Sequence, residues 1–180
     1  NQIKMANCTV SNGQTYGILE QSSSILTINQ FGNNAFTDNT EYPLFVFDQV
    51  ARNLGNSSTF ARNARNFIAL KQKNFQGLPG AHTWQKQAVP YFWDDTENLV
   101  VGYLNTNGSL TLEAGANLVM GPGSGLVVGD NTNATGSLTL AGTAADKVTI
   151  RGSTDQPGAW KGILISTPSV NNTFTNALIT

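Results

Sequence analysis

A degenerate repeat limits what this chain can fold into more than any other feature. One column of short apolar triplets is anchored at Val10, Phe36, Phe60, Trp84, Leu110, Leu138 and Phe174, with spacings of 26, 24, 24, 26, 28 and 36 residues. A second column follows about eight residues later at Ile18, Leu44, Ile68, Phe92, Leu118, Val148 and Leu178. A third, patchier column holds Leu26, Val100, Leu126 and Ile163, with Leu54 and Leu78 as candidates for the middle turns. Each triplet is rich in Leu, Val, Ile, Phe and Thr and is bounded by Gly, Asn or Pro, the pattern of short strands between turns. Sustained helical periodicity is absent. The best helical candidate, Phe45 to Leu54, carries Asp48, Arg52 and Asn53 without a clean apolar stripe.

Three short strands per turn of about 24–30 residues predict a solenoid. A single turn cannot bury its own apolar side chains, but stacked turns pair strand on strand and enclose a continuous core. The expectation is an all-β, single-stranded parallel β-helix of about six to seven turns. Polar columns support the same alignment. Asn39, Asn63 and Gln87 each fall three residues past an anchor, where stacked amides would form a hydrogen-bonded ladder at a bend. Asp38 and Arg62, Glu41 and Arg65, and Lys71 and Asp95 are each 24 residues apart and opposite in charge, as cross-strand neighbours should be.

Composition narrows function. Net charge is −1 and only 12% of residues are charged, which argues against binding to nucleic-acid phosphates or an anionic membrane. Asn, Thr and Gly number 21, 20 and 18, about a third of the chain, so neutral polar groups carry much of the surface. No apolar run is long enough to span a membrane. The single Cys8 excludes an intrachain disulfide framework and a Cys-based zinc site, and the single His82 excludes a multi-histidine metal centre. Neither a cofactor nor a metal site is expected. The ends fall inside the pattern, so the 180 residues read as one continuous segment of a longer chain. Residues 1–97 would close one repeat block and 98–180 would open the next.

The stretch Gly108-Ser-Leu-Thr-Leu-Glu-Ala-Gly115, Asn117-Leu-Val-Met-Gly-Pro-Gly-Ser-Gly-Leu-Val-Val-Gly129, Gly136-Ser-Leu-Thr-Leu-Ala-Gly-Thr143 and Pro157-Gly-Ala-Trp-Lys-Gly-Ile-Leu-Ile165 resembles right-handed parallel β-helix proteins of pectate-lyase-like architecture. More narrowly it resembles the repeat proteins of bacterial surfaces and secretions. The closing Asn171-Asn-Thr-Phe-Thr-Asn176 resembles their Asn-Thr-Phe turns. Residues 98–180 carry the specific match, and residues 1–97 match by period. The resemblance implies a secreted or cell-surface location, flanking β-helix turns as neighbours, and a structural or adhesin-like role. It does not by itself fix an activity, because the fold hosts lyases, hydrolases and adhesins alike.

Two kinds of site are expected from the residues. A polysaccharide lyase or glycoside hydrolase would need carboxylates and bases converging on an outward groove. Asp94, Asp95, Asp48 and Lys71 are the candidates, placed at comparable strand ends on successive turns. As turn residues and stacked ion pairs they have an equally simple structural role. A glycan-contacting surface would need outward aromatics beside polar groups. Tyr91, Trp93 and His82 are the candidates there, since strand alternation that places Phe92 inward places Tyr91 and Trp93 outward. Trp160, after the loop 153–158, is a fourth. The leading expectation is a non-catalytic display segment that contacts glycans, and the carbohydrate-active enzyme is the alternative.

Overall fold

The computed structural model describes residues 2–21, 27–72, 77–129, 133–166 and 169–180. It is a parallel β-solenoid of about six turns. One seven-stranded sheet runs its length: β3 (Ile18–Leu19), β6 (Leu44–Phe47), β8 (Ile68–Lys71), β10 (Tyr91–Trp93), β13 (Asn117–Met120), β16 (Val148–Gly152) and β19 (Ala177–Ile179). The strands that precede it in each turn form two separate sheets. These are β2 (Thr9–Ser11), β5 (Ala35–Thr37) and β7 (Thr59–Ala61), then β9 (Gly80–Trp84), β12 (Gly108–Glu113), β15 (Gly136–Ala141) and β18 (Thr173–Thr175). The strands that follow it are also divided. β1 (Gln2–Ala6) pairs with β4 (Thr27–Gly32), and β11 (Leu99–Val101) pairs with β14 (Leu126–Val128) and β17 (Ile163–Ile165).

The break has an identifiable filler. Where the second turn would place its third strand, the chain forms a 3-10 turn over Asp48–Asn53. Val50, Ala51 and Leu54 bury here as an apolar plug, and the segment packs against both β4 and β9. The core is otherwise a stack of inward columns. Leu110 and Leu138 stand one above the other, as do Leu112 and Leu140, and all four are fully buried. In the N-terminal turns Phe31, Phe36 and Phe60 stack with centroids 5.9 and 5.3 Å apart and rings within 16° of parallel, an arrangement that adds to area burial.

The bends explain the Asn content. Asn12, Asp38 and Arg62, each two residues past an anchor, all adopt left-handed backbone with φ of 58, 59 and 54°. Asn7 and Asn33 do so at the preceding corner. Asn and Asp tolerate this conformation better than other non-Gly residues, because their short side chains bond locally.

The amide ladder forms in part. The Asn63 Oδ1 atom accepts from the Asn39 backbone N–H at 3.2 Å and from its Nδ2 at 2.7 Å, and Asn39 Oδ1 accepts from Gly13 N–H at 3.0 Å. Gln87 does not continue it. Its amide donates to the Leu54 carbonyl at 3.3 Å, because the face is interrupted between β7 and β9. A second polar rung forms at the opposite corner. Asn34 accepts from Cys8 N–H, donates to the Met5 carbonyl, and its own N–H meets Ser58 Oγ.

Two of the three ion pairs form at the expected register. Arg62 holds Asp38 through two bonds of 2.7 Å, and Arg65 lies 3.4 Å from Glu41. Lys71 does not reach Asp95. Its ammonium rests over the Phe45 and Phe47 rings at 4.8 and 4.9 Å, where the ring quadrupoles attract it.

Register slips account for the remaining differences. Tyr91, not Phe92, lies between Ile68 and Leu118 in the long sheet. The turn there is 23 residues rather than 24, and the next is 27. A one-residue slip turns every side chain of the strand to the opposite face. Leu99, rather than Val100, aligns with Leu126 for the same reason. Trp84 aligns with Leu112 and His82 with Leu110, a slip of two that keeps the inward face. Phe174 likewise aligns with Leu140. Leu54 ends the 3-10 turn, Leu78 makes an isolated bridge to Val101, and Leu26 lies outside the described residues.

Candidate functional site

The slip at β10 decides the aromatic candidates. Tyr91 and Trp93 point into the core and are 1% and 0% exposed, while Phe92 is partly exposed on the outer face. The expected outward orientation of Tyr91 and Trp93 is therefore reversed, and neither offers a ring face to a sugar. Their polar atoms are used internally. Tyr91 Oη donates to the Gln85 carbonyl at 2.9 Å and Trp93 Nε1 to the Glu97 carbonyl at 2.8 Å. Burial pushes the Tyr91 hydroxyl well above its ordinary value.

His82 is inward as well, stacked in register with Leu110. Its Nε2 donates to the Pro79 carbonyl at 3.0 Å, which leaves Nδ1 as the unprotonated nitrogen, buried without a partner. Burial first and the nearby Arg52 charge second lower its pKa to about 4, so the ring is neutral at ordinary pH.

The acidic candidates separate into three environments. Asp48 opens the 3-10 turn and is fully buried. Its Oδ1 accepts from Gln49 N–H at 2.8 Å and its Oδ2 has no partner. Burial, reinforced by the charges of Glu20 and Asp95, pushes its pKa up to about 8. Asp95 caps its own turn, accepting from Glu97 N–H at 3.1 Å and Gln72 N–H at 3.4 Å. Asp94, like Asp95, is partly exposed. Its proton affinity is raised by burial and by the Asp95 and Glu41 charges, against the opposing effects of Arg65 and Tyr42. Lys71 is held on its two rings at the end of β8, in register with Phe47. The four residues stand at or just past the C-terminal ends of β6, β8 and β10; Asp48 is fully buried, whereas Lys71, Asp94 and Asp95 are partly exposed.

Sequence reasoning missed the group that organises this surface. Outward on the long sheet, Phe45, Ala69 and Phe92 form one row, and Ala69 is fully buried. The Tyr42 ring lies 6.0 Å from both Phe45 and Phe92. The small Ala69 leaves the space for it. Tyr16 and Phe67 extend the cluster at 5.4 Å from Phe45 and Phe92 respectively. The Tyr42 hydroxyl accepts from Arg65 at 2.8 Å, and the guanidinium carbon lies 5.3 Å from the ring centroid. Tyr42 comes from a bend rather than a strand column, so period counting could not reach it. The signal was available in the small Ala69 between two large aromatics.

Trp160 is the one predicted contact residue at a cleft. It is half-buried against the core edge, and its indole N–H donates to the Thr180 carbonyl at 2.9 Å. It lines a cleft of about 430 Å³ formed by residues 154–162 with Arg151 and Thr180. Among the described residues, no group of three or more His, Cys, Asp or Glu side chains could hold a metal ion. Among those residues, too, no helix is long and apolar enough to cross a membrane. No protein family, no curated protein and no solved structure matches the chain.

Proposed function

We propose that this chain is a non-catalytic, adhesin-like display segment of a secreted or cell-surface protein. In this reading it is a right-handed, pectate-lyase-like rod flanked by further turns, and its side surface contacts glycans. The observation that supports it most is the use of the chemically capable groups as structure. Asp48, His82, Tyr91 and Trp93 are buried in the stack, and Asp95 is engaged in its own turn. Incubation with uronic-acid polysaccharides, followed by absorbance of unsaturated products, tests the non-catalytic part. Product formation would overturn it. A glycan array tests the display part, with binding to at least one glycan class expected.

The alternative is a polysaccharide lyase or glycoside hydrolase. Its one specific support is Asp94, a carboxyl of raised proton affinity beside Arg65 and Tyr42. Under that reading Asp94→Asn abolishes turnover of whichever polysaccharide the wild type cleaves.

A further inference from the structure

Five Asn-x-Ser/Thr tripeptides occur in the chain: Asn7-Cys-Thr9, Asn56-Ser-Ser58, Asn107-Gly-Ser109, Asn133-Ala-Thr135 and Asn171-Asn-Thr173. This is the pattern that accepts a sugar on an asparagine amide. All five fall at one corner of the solenoid, the one that leads into the strands preceding the long sheet, here β2, β7, β12, β15 and β18. Asparagines at the other two corners, such as Asn39, Asn63 and Asn98, lack the hydroxyl two residues on.

Turn chemistry accounts for Asn at this bend, and β-propensity for Ser or Thr where the strand begins. Neither requires the asparagine to face solvent. The asparagines that fasten the corner are tied into the stack instead. Asn34 is buried between two turns, and Asn172 Oδ1 accepts from Leu138 N–H at 2.8 Å. Neither is followed by a hydroxyl at the second position. Asn56, Asn107 and Asn133 are by contrast exposed, and each has turns of the rod on both sides.

Asn107 and Asn133 present complete acceptors. Asn107 follows a hairpin in which Tyr103 and Thr106 exchange backbone bonds of 2.9 and 3.0 Å, with Leu104 and Asn105 in left-handed backbone. Its Oδ1 accepts from Thr135 N–H at 2.9 Å, which leaves Nδ2, the atom that would carry the sugar, outside that bond. Gly108 N–H donates to the Thr135 carbonyl at 3.0 Å. The two tripeptides are thereby held side by side on successive turns. Ala134 is fully buried and anchors the second one between the exposed Asn133 and the partly exposed Thr135. Ser109 is partly exposed as well. Asn56 differs, because Ser58 is buried and its Oγ accepts from Asn34 N–H at 3.2 Å. A transferase must reach the hydroxyl as well as the amide, so the folded chain withholds this tripeptide.

We propose that Asn107 and Asn133 carry N-linked sugars, set by the fold as adjacent acceptors on one edge of the rod. The donor is a sugar activated as its nucleotide or lipid diphosphate, and a glycosyltransferase supplies the catalysis. The asparagine Nδ2 attacks C1 of the sugar. The N–C1 bond forms as the C1–O bond to the diphosphate breaks, the diphosphate leaves with that electron pair, and Nδ2 gives up one proton. The proposal is separate from the glycan-contacting reading, in which sugar is a ligand rather than part of the chain.

The test isolates the protein from its own host, digests it, and reads the peptides that hold residues 107 and 133 by mass spectrometry, with fragmentation that keeps the sugar in place. A hexose or N-acetylhexosamine on each amide nitrogen is expected, with Asn56 unmodified. Ser109→Ala and Thr135→Ala, made in the same host, should each lower occupancy of their own asparagine about tenfold or more and leave the other's unchanged. Thr135→Ser should keep it. Alanine suits the position of Ser109, since Ala81 holds the same register on β9, and circular dichroism reports that the variants fold. Recovery of both peptides without sugar would overturn the proposal, as would sugar on the Ser109 or Thr135 oxygen instead. Unchanged occupancy in Thr135→Ala, or occupancy of Asn56 equal to the other two, would show that pattern and fold do not select the acceptors, and would overturn it too.

Discussion

The N-terminal and C-terminal turns hold the same solenoid together with different chemistry. In the first three turns the strands that precede the long sheet, β2, β5 and β7, are three residues long, and the corners are fastened by side chains. Asn39 and Asn63 bond up and down the stack, Asn34 and Ser58 do the same at the other corner, and Asn12, Asp38 and Arg62 turn the chain in left-handed conformation. In the later turns β12 and β15 are six residues long and pair along their whole length. Two apolar rows run through them, Leu110 over Leu138 and Leu112 over Leu140. The comparison teaches that a short strand needs polar fastening at its corner, whereas a longer strand can rely on ladder bonds and apolar stacking. If so, the two regions should fail in different ways when substituted.

The largest effect is expected in the C-terminal turns. Leu112 is fully buried between Trp84 below and Leu140 above. Leu112→Ala should cost about 2–5 kcal/mol, as a cavity in a rigid stack cannot collapse. Urea denaturation followed by circular dichroism measures it. A loss under about 1 kcal/mol would mean that the later turns do not depend on their apolar rows.

In the N-terminal turns the polar residue should matter instead. Asn63→Ala removes the acceptor for Asn39 N–H and Nδ2 and the donor to the Phe36 carbonyl. Leaving such buried groups unpaired should cost about 2–3 kcal/mol in total. The matching control is Thr139→Ala, on the outward face of β15, which should change stability by under about 0.5 kcal/mol. Similar losses for the two variants would erase the contrast.

The junction between the regions holds two buried titratable groups of opposite sign. Asp48 has its folded pKa raised from 3.8 to about 8, so the folded state retains a proton that the unfolded chain has lost. Its stabilising contribution is fully present below about pH 4 and is lost as pH rises towards 8. His82 has its folded pKa lowered from 6.5 to about 4, so its contribution is present above pH 6.5 and is lost as pH falls towards 4. The slopes oppose one another between pH 4 and 6.5, and Asp48 acts alone above that. Asp48→Asn should therefore raise stability at pH 9 by about 1–2 kcal/mol and leave the acid-side slope of His82 exposed. Chemical denaturation at pH 5, 7 and 9 would show this. A variant with the wild-type slope from pH 7 to 9 would place the titration elsewhere.

The architecture was readable because a solenoid writes its packing into a period. Val10, Phe36 and Phe60 stack in the order their spacing implies. Periodicity set the columns but not their phase. The 23-residue turn before Tyr91 is one residue shorter than the 24-residue turn before it, and that was enough to exchange the inside and outside of β10. The surface candidates depended on that phase, so Tyr91 and Trp93 moved into the core while Trp160, placed by a loop, did not. The Tyr42 cluster was hidden for a different reason. It arises where Tyr42, which belongs to no strand column, meets an outward row in which the small Ala69 stands between Phe45 and Phe92.

The smallest effect should come from the exposed ion pair that the period announced most clearly. Arg62 and Asp38 make two bonds of 2.7 Å, with side chains 70% and 36% exposed. The bonded Arg62 guanidinium holds the Asp38 carboxyl below its ordinary value, and a hydrogen bond from Thr37 adds to this. Water and salt screen such a pair, and two long side chains lose freedom in forming it. Asp38→Asn keeps a residue that tolerates the left-handed bend, with φ of 59°, and removes only the charge. Its melting temperature should fall by less than that of Leu112→Ala or Asn63→Ala, and the difference should vanish in about 1 M salt. The informative comparison is Asp38→Val, a β-branched residue for which left-handed backbone is strained. If Asp38→Val falls well below Asp38→Asn at high salt, the column is held by its backbone conformation, with the ion pair resting on it. If the two variants melt together, the charge sets the register and the N-terminal corners are fastened by ion pairs after all.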